Sequence, residues 1–305
     1  MELVQLNEQT WVIQGGANIG VIAYEGRCLI IDSGMDKDAG RDILKQVKKL
    51  GLTPTALLVT HAHADHFGGA HYLVGQTGLK VYATRVEAAV MASPILEPLY
   101  LFSGAQPPRE LQHKFLLAKP CPADIILAGN ESSVDQIPVQ VISLAGHSLE
   151  QVGIAFGETL FAGDAFLTPD ILDKHRIPFY SDVQIGLTTL STLKTQTDSF
   201  KHIVAGHGEI YTSAKQANRA IDYTIERLEG ILDDVRTALA DGTPRSLTDI
   251  LSAVASTRGA TINALSQHVL YQTTVQSVLS TLYARSEVYP LFQNNSLLWK
   301  RGIKE

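Results

Sequence analysis

Short apolar runs alternate with turn residues over the first two thirds of the chain. Residues 10–14 (TWVIQ), 19–23 (IGVIA) and 27–32 (RCLIID) read as consecutive strands, with Gly15-Gly16 and Glu25-Gly26 as turns. The pattern then changes period. Residues 42–50 place Ile43, Val47 and Leu50 on one helical face, with Gly51 as the stop. Residues 56–59 (ALLV) form a fully apolar run that suits a buried strand, and 80–84 predicts another. The stretch 93–123 is rich in proline and aromatic residues and has no clean period. It reads as an inserted lid or loop with short helical pieces.

Strand patterns return at 139–144, 152–156 and 159–161, the last two joined through Gly157-Glu158. A helix is expected over 187–193, a short strand over 203–205, and one long helix over 213–241, which stops before Pro244. The remainder predicts two helices (247–256 and 273–285) and a hairpin (288–292 and 297–300) turning at Asn294-Asn295. Helices followed by a two-stranded wing suggest a small winged-helix-like domain. Two units are therefore expected, 1–212 and 213–305.

Composition adds exclusions. The net charge of −6 provides no global attraction for nucleic acid or acidic lipid. Lys/Arg number 15 against 22 Asp/Glu before residue 213, and 10 against 9 from there on, so the tail is not a basic arm. Two cysteines, Cys28 and Cys121, define no disulfide framework. The start MELVQLNEQTW lacks the charged-then-apolar pattern of a signal peptide, and no apolar stretch approaches the ~20 residues of a membrane span. A cytoplasmic location without membrane attachment is the expectation.

The chemistry concentrates at Thr60-His61-Ala62-His63-Ala64-Asp65-His66, directly after the 56–59 strand. Three histidines and an aspartate within six residues are a solvation liability without a cation. In an extended segment alternate side chains share a side, so His61, His63 and Asp65 are expected to converge while His66 points elsewhere. Two directions suggest two metals. Three more ligand-type residues follow apolar strands beside glycines: His147 in Gly-His-Ser, Asp164 in Ala-Gly-Asp, and His207 in Gly-His-Gly. Seven imidazole and carboxylate donors suit two divalent ions, Zn2+ foremost, with Fe or Mn as alternatives. Asp164 is the natural bridge between ions about 3.5–4 Å apart, and water held between them would ionise near neutral pH. Asp65 is the catalytic candidate, binding one metal and accepting a hydrogen bond from that hydroxide. Asp32, in Ile-Asp-Ser-Gly, is expected to orient a ligand histidine from behind.

In this order, HxHxDH, Gly-His, Gly-Asp and Gly-His-Gly resemble the metallo-β-lactamase-fold hydrolases over roughly residues 1–212. Asp32 in its Ile-Asp-Ser-Gly context matches that family's first motif. The resemblance implies an α+β fold, a four-layer αβ/βα sandwich with metals at one edge of its two sheets. It implies that His61, His63 and His147 hold one metal, that Asp65, His66 and His207 hold the other, and that Asp164 is shared. The bridging aspartate and the missing signal argue against antibiotic hydrolysis and toward the glyoxalase II, lactonase and general hydrolase branches. Gly208 after His207 departs from glyoxalase II, which weighs against a glutathione thioester. The tail resembles that of β-lactamase-like RNA nucleases. Its 273–285 helix, however, carries only Arg285, too little for a phosphate backbone. The module reads as a lid support or as a dimerisation element of a homodimer, and nucleic acid is not an expected partner.

The leading expectation is hydrolysis of a small ester, thioester or lactone by a hydroxide bridging two metals. Its substrate pocket would be shaped by 93–123 and 166–182, with Tyr180 and His175 as substrate contacts. A phosphodiesterase or RNase would instead require Lys/Arg around the cleft. A persulfide dioxygenase-like enzyme would require a single iron.

Overall fold

The computed structural model describes residues 1–302; residues 303–305 of the expected C-terminal unit lie outside them. Strands β1 (Glu2–Asn7), β2 (Thr10–Gln14), β3 (Ile19–Tyr24) and β4 (Arg27–Ile31) form an antiparallel meander. Helix α1 (Lys37–Lys49) then crosses to β5 (Thr53–Leu58), which lies parallel to β4. Short helices α2 (Ala64–Phe67) and α3 (Ala70–Thr77) lead to β6 (Lys80–Thr84). Helices α4 (Arg85–Ala92) and α5 (Leu96–Leu101) precede β7 (Ile125–Leu127), which completes a seven-stranded sheet in simple order.

The second sheet contains β8 (Gln140–Ser143), β9 (Val152–Phe156), β10 (Thr159–Gly163), β11 (His202–Ala205) and β12 (Ile210–Tyr211). Helices α6 (Pro169–Lys174) and α7 (Val183–Lys194) connect β10 to the parallel β11. Helices α8 (Ala214–Ala238), α9 (Leu247–Thr257) and α10 (Leu265–Ala284) and the hairpin of β13 (Val288–Gln293) and β14 (Ser296–Arg301) follow.

The layers follow from alternation along each strand. In β4, Leu29 and Ile31 face a core shared with Val152, Ile154, Phe161 and Val204 of the second sheet. Cys28 and Ile30 face the opposite way, against Ile43 and Val47 of α1 and Leu73 of α3. On the far side, Leu160 and Ile203 pack under α7 and α8. The result is the four-layer αβ/βα sandwich of an α+β protein. The third core also takes in Ile250, Val275, Leu282 and Val288, so the C-terminal helices share one apolar cluster with the second sheet. Helix α10 is also hydrogen-bonded to the 178–183 segment: Tyr180 N–H donates to Thr274 Oγ1 and Val183 N–H to Ser277 Oγ.

Several elements depart from the sequence pattern. Helix α1 begins at Lys37 because Asp36 caps it, accepting from the Asp38 and Ala39 N–H groups. Helix α10 starts at Leu265, well before 273, behind Ala264, which makes no side-chain cap. The 93–123 insert carries α5 and a 3-10 turn at Arg109–Leu111. Both cysteines are buried and free. No helix among the described residues is long and apolar enough to cross a membrane.

Candidate metal centre

Five strand ends deliver the donors to one edge of the sandwich. Asp32 follows β4, His61 and His63 follow β5, His147 follows β8, Asp164 follows β10 and His207 follows β11. Gly206 is required there: a Cβ would stand 2.0 Å from Asp164 Oδ1 and 2.9 Å from His66 Cε1. Gly163 turns the chain into Asp164 at φ 52°.

The chain is extended only as far as His63, which caps α2. The expectation that Asp65 joins His61 and His63 is therefore corrected. Residues 64–67 are helical, which swings Asp65 and His66 together toward His207. Three groups of donor atoms lie within metal-ligating reach: His61, His63 and His147; His61, His66 and Asp164; and Asp65, His66 and His207. His63 Nδ1 is 3.1 Å from His61 Nε2 and 3.0 Å from His147 Nε2. His66 Nε2 is 3.3 Å from His207 Nε2, and His207 Nε2 is 3.3 Å from Asp65 Oδ2. Asp164 lies between the groups, with Oδ1 3.6 Å from His66 Nε2 and Oδ2 3.6 Å from His147 Nε2 and 3.4 Å from His207 Nε2.

The outer hydrogen bonds fix which nitrogens carry lone pairs. His66 Nδ1–H donates to Asp32 Oδ2 at 2.8 Å, His147 Nδ1–H to Phe179 O at 2.9 Å, and His207 Nδ1–H to Gly16 O at 2.6 Å. Thr60 Oγ1 gives its proton to Asp32, so His61 Nδ1–H donates to Thr60 Oγ1 at 3.1 Å. With Nδ1 committed outward, the Nε2 atoms of His61, His66, His147 and His207 face one another and the carboxylates. Such contacts repel unless a proton or a cation lies between them. Asp164 Oδ1 is buried and has no hydrogen-bond partner. Inward lone pairs, an orphaned carboxylate oxygen and outer nitrogens held by acceptors fit bound divalent metal.

The electrostatics agree. Burial first, and then the neighbouring imidazoles, lower His61 and bring His63 to about 3, so both stay neutral ligands. Burial opposes charge on His66 and His207 too. The Asp164 carboxylate, aided by Asp32 at His66 and Asp65 at both, outweighs it, lifting His66 well above its usual value and His207 to about 10. Asp164 is held well below the usual carboxylate range despite its burial, chiefly by His207 and His66. A proton there stands where positive charge is wanted.

Glu87, on α4, was not foreseen. Its buried carboxylate accepts from Ala62 N–H at 2.8 Å, Ser148 Oγ at 2.6 Å and Glu150 N–H at 3.2 Å. It thereby ties the loop of His61 and His63 to the loop of His147. Of the two expected substrate contacts, His175 lines the cavity beside the donors. Tyr180 does not: it is fully buried, gives its hydroxyl to Ala165 O at 2.9 Å, and packs edge-on against His147. Tyr180 supports a ligand from behind. The cavity is bounded by both expected segments, through Glu97, Phe115 and Leu116 of the insert and Leu167 to Phe179 beyond β10.

Comparison with known proteins gives the same picture. The family model described as the metallo-beta-lactamase superfamily matches residues 12–225. A probable metallo-hydrolase of Bacillus subtilis is 26% identical over 201 residues, covering 63% of this chain and 85% of that protein. A beta-lactamase hydrolase-like protein of Xylella fastidiosa is 32% identical over 157 residues, 47% of this chain, and the chain spans only 33% of that protein's length. The crystal structure of a beta-lactamase domain protein from Burkholderia ambifaria superimposes with a TM-score of 0.74 at 18% identity, covering 99% of this chain and 94% of that one, a likeness of fold.

Proposed function

The chain belongs to the metallo-β-lactamase superfamily, and from that premise we propose that this metallo-hydrolase is a two-metal enzyme cleaving small esters, thioesters or lactones. The observation that carries the proposal is the pair of donor triads, His61/His63/His147 and Asp65/His66/His207, with Asp164 between them. When bound, two divalent cations, zinc foremost, would acidify a shared water and polarise the acyl carbonyl. Asp164, with carboxylate oxygens 3.4–3.6 Å from His66, His147 and His207, would be shared by both sites. Asp65, partly exposed and lining the cavity, would orient the attacking water by accepting its hydrogen bond. The water oxygen adds to the acyl carbon, the acyl–oxygen or acyl–sulfur bond breaks, and the products are a carboxylate and an alcohol or thiol, the latter taking up a proton. His175, which lines the cavity beside the donors, contacts the substrate. No Lys or Arg lines the cavity among the described residues, which weighs against a phosphodiester or RNA substrate. The test is a panel of lactones, thioesters, aryl esters, phosphodiesters and RNA assayed with zinc-loaded protein. Turnover of the acyl substrates alone is expected; turnover of phosphodiesters or RNA alone would overturn the proposal.

A further inference from the structure

The cavity beside the donors has a volume of about 220 Å3. Beyond the donors its lining is largely apolar, from Leu116, Leu167, Ile171, Ile177 and Leu270, with Phe179 packed edge-on against His63 and His147. Four separate parts of the chain supply that wall: the insert, the loop after β10, α6 with the segment beyond it, and α10. An acyl group whose carbonyl is held at the donors and whose chain enters the cavity therefore meets apolar surface.

Charge narrows the choice further. The carboxyl group on the wall that is not part of a donor group, Glu97, is 4% exposed. Burial first, then the Asp65 and Glu87 charges, push it well above the usual carboxylate range, and no cation offsets them. A second anionic group on the substrate would find no Lys or Arg among the described residues lining the cavity, and the lining imidazole outside the donor groups, His175, is held toward its neutral form, first by burial.

Resting on the acyl-hydrolase reading above, we infer that the cavity selects an uncharged, aliphatic acyl group over one that carries a second charge, with Leu270 of α10 forming part of the acyl site. This excludes acyl groups ending in a carboxylate and leaves the alcohol or thiol portion outside the cavity.

The test uses the full chain loaded with zinc. Its kinetic arm compares kcat/KM for 4-nitrophenyl acetate, butyrate, hexanoate and the monoester of adipate, which carries a terminal carboxylate. Each added methylene is expected to raise kcat/KM roughly fourfold up to hexanoate, about 250-fold over the four methylenes that separate it from acetate. The adipate monoester should fall at least about tenfold below hexanoate. Ile171→Lys should shift preference toward the adipate ester, a gain that unfolding would not produce. Leu270→Phe should reduce hexanoate turnover while sparing acetate. The binding arm measures hexanamide by calorimetry, and weakening by Ile171→Lys is expected. Ester turnover independent of chain length, or adipate ester cleaved as fast as hexanoate, would overturn the inference and leave the hydrolase reading standing. Hexanamide binding that responds to Ile171→Lys, with no ester cleaved, would support the acyl site and overturn the reaction assigned to it.

Discussion

Asp32, whose own backbone is left-handed at φ 63°, accepts a hydrogen bond from His66 Nδ1–H at 2.8 Å. The same carboxylate accepts from Thr60 N–H at 2.7 Å and Thr60 Oγ1 at 2.8 Å. One buried acid therefore sets two ligands: His66 directly and His61 through the Thr60 hydroxyl. The unfavourable backbone of Asp32 is held by these bonds, and it aims the carboxylate under the donor cluster.

Replacing Asp32→Asn puts an amide donor where an acceptor is needed. Metal affinity should fall by about 10–100-fold, the usual effect of losing a partner behind a ligand histidine. Competition against a chelator of known affinity measures it, and unchanged affinity would remove Asp32 from the account.

Glu87→Ala should destabilise the protein and loosen the metal together. It strips buried partners from Ala62 N–H and Ser148 Oγ, each worth roughly 1–3 kcal/mol when left unsatisfied. Denaturant unfolding should show a loss of about 2–6 kcal/mol on that basis. Glu87→Asp, which keeps the charge on a shorter arm, should recover part of both losses.

Glu97 predicts a pH dependence of stability in metal-free protein. Its folded-state pKa is raised by burial, so the folded protein holds that proton more tightly than the unfolded chain does. The resulting stability is full below the ordinary glutamate value and is lost as pH rises through the raised one. Glu97→Gln should therefore melt higher than the parent at pH 8, with the gap closing toward pH 4. A gap of constant size across that range would contradict the assignment.

Tyr180→Phe should cost about 1 kcal/mol, since only the bond to Ala165 O is lost. Because the hydroxyl faces away from the cavity, kcat/KM should stay within about twofold, a change worth less than half of 1.4 kcal/mol. A hundredfold loss would return Tyr180 to the substrate contacts.

The sandwich was legible because its strands follow a strict buried pattern, and because His61, His63, His147, Asp164 and His207 each sit just past an apolar run. Grouping was harder. The direction of Asp65 depends on one helical turn at Ala64–Phe67, too short to leave a periodic signal. Glu87 and Glu97 lie on short helices where glutamate ordinarily reads as a solvated face, and only tertiary packing buries them. Tyr180 sits in the expected pocket segment, but its hydrogen bonds to Ala165 and Thr274 turn it inward. Long-range contacts of that kind leave no local trace.

The account rests on the inward-facing donors of His61, His63, Asp65, His66, His147, Asp164 and His207 being filled by cations. An anomalous difference map from crystals of the zinc-loaded protein tests this directly. The prediction is two peaks about 3.5–4 Å apart, one within bonding distance of His61, His63 and His147, the other of Asp65, His66 and His207, with Asp164 touching both. A map with no peak inside that ring of side chains, or with zinc bound only elsewhere, would contradict it.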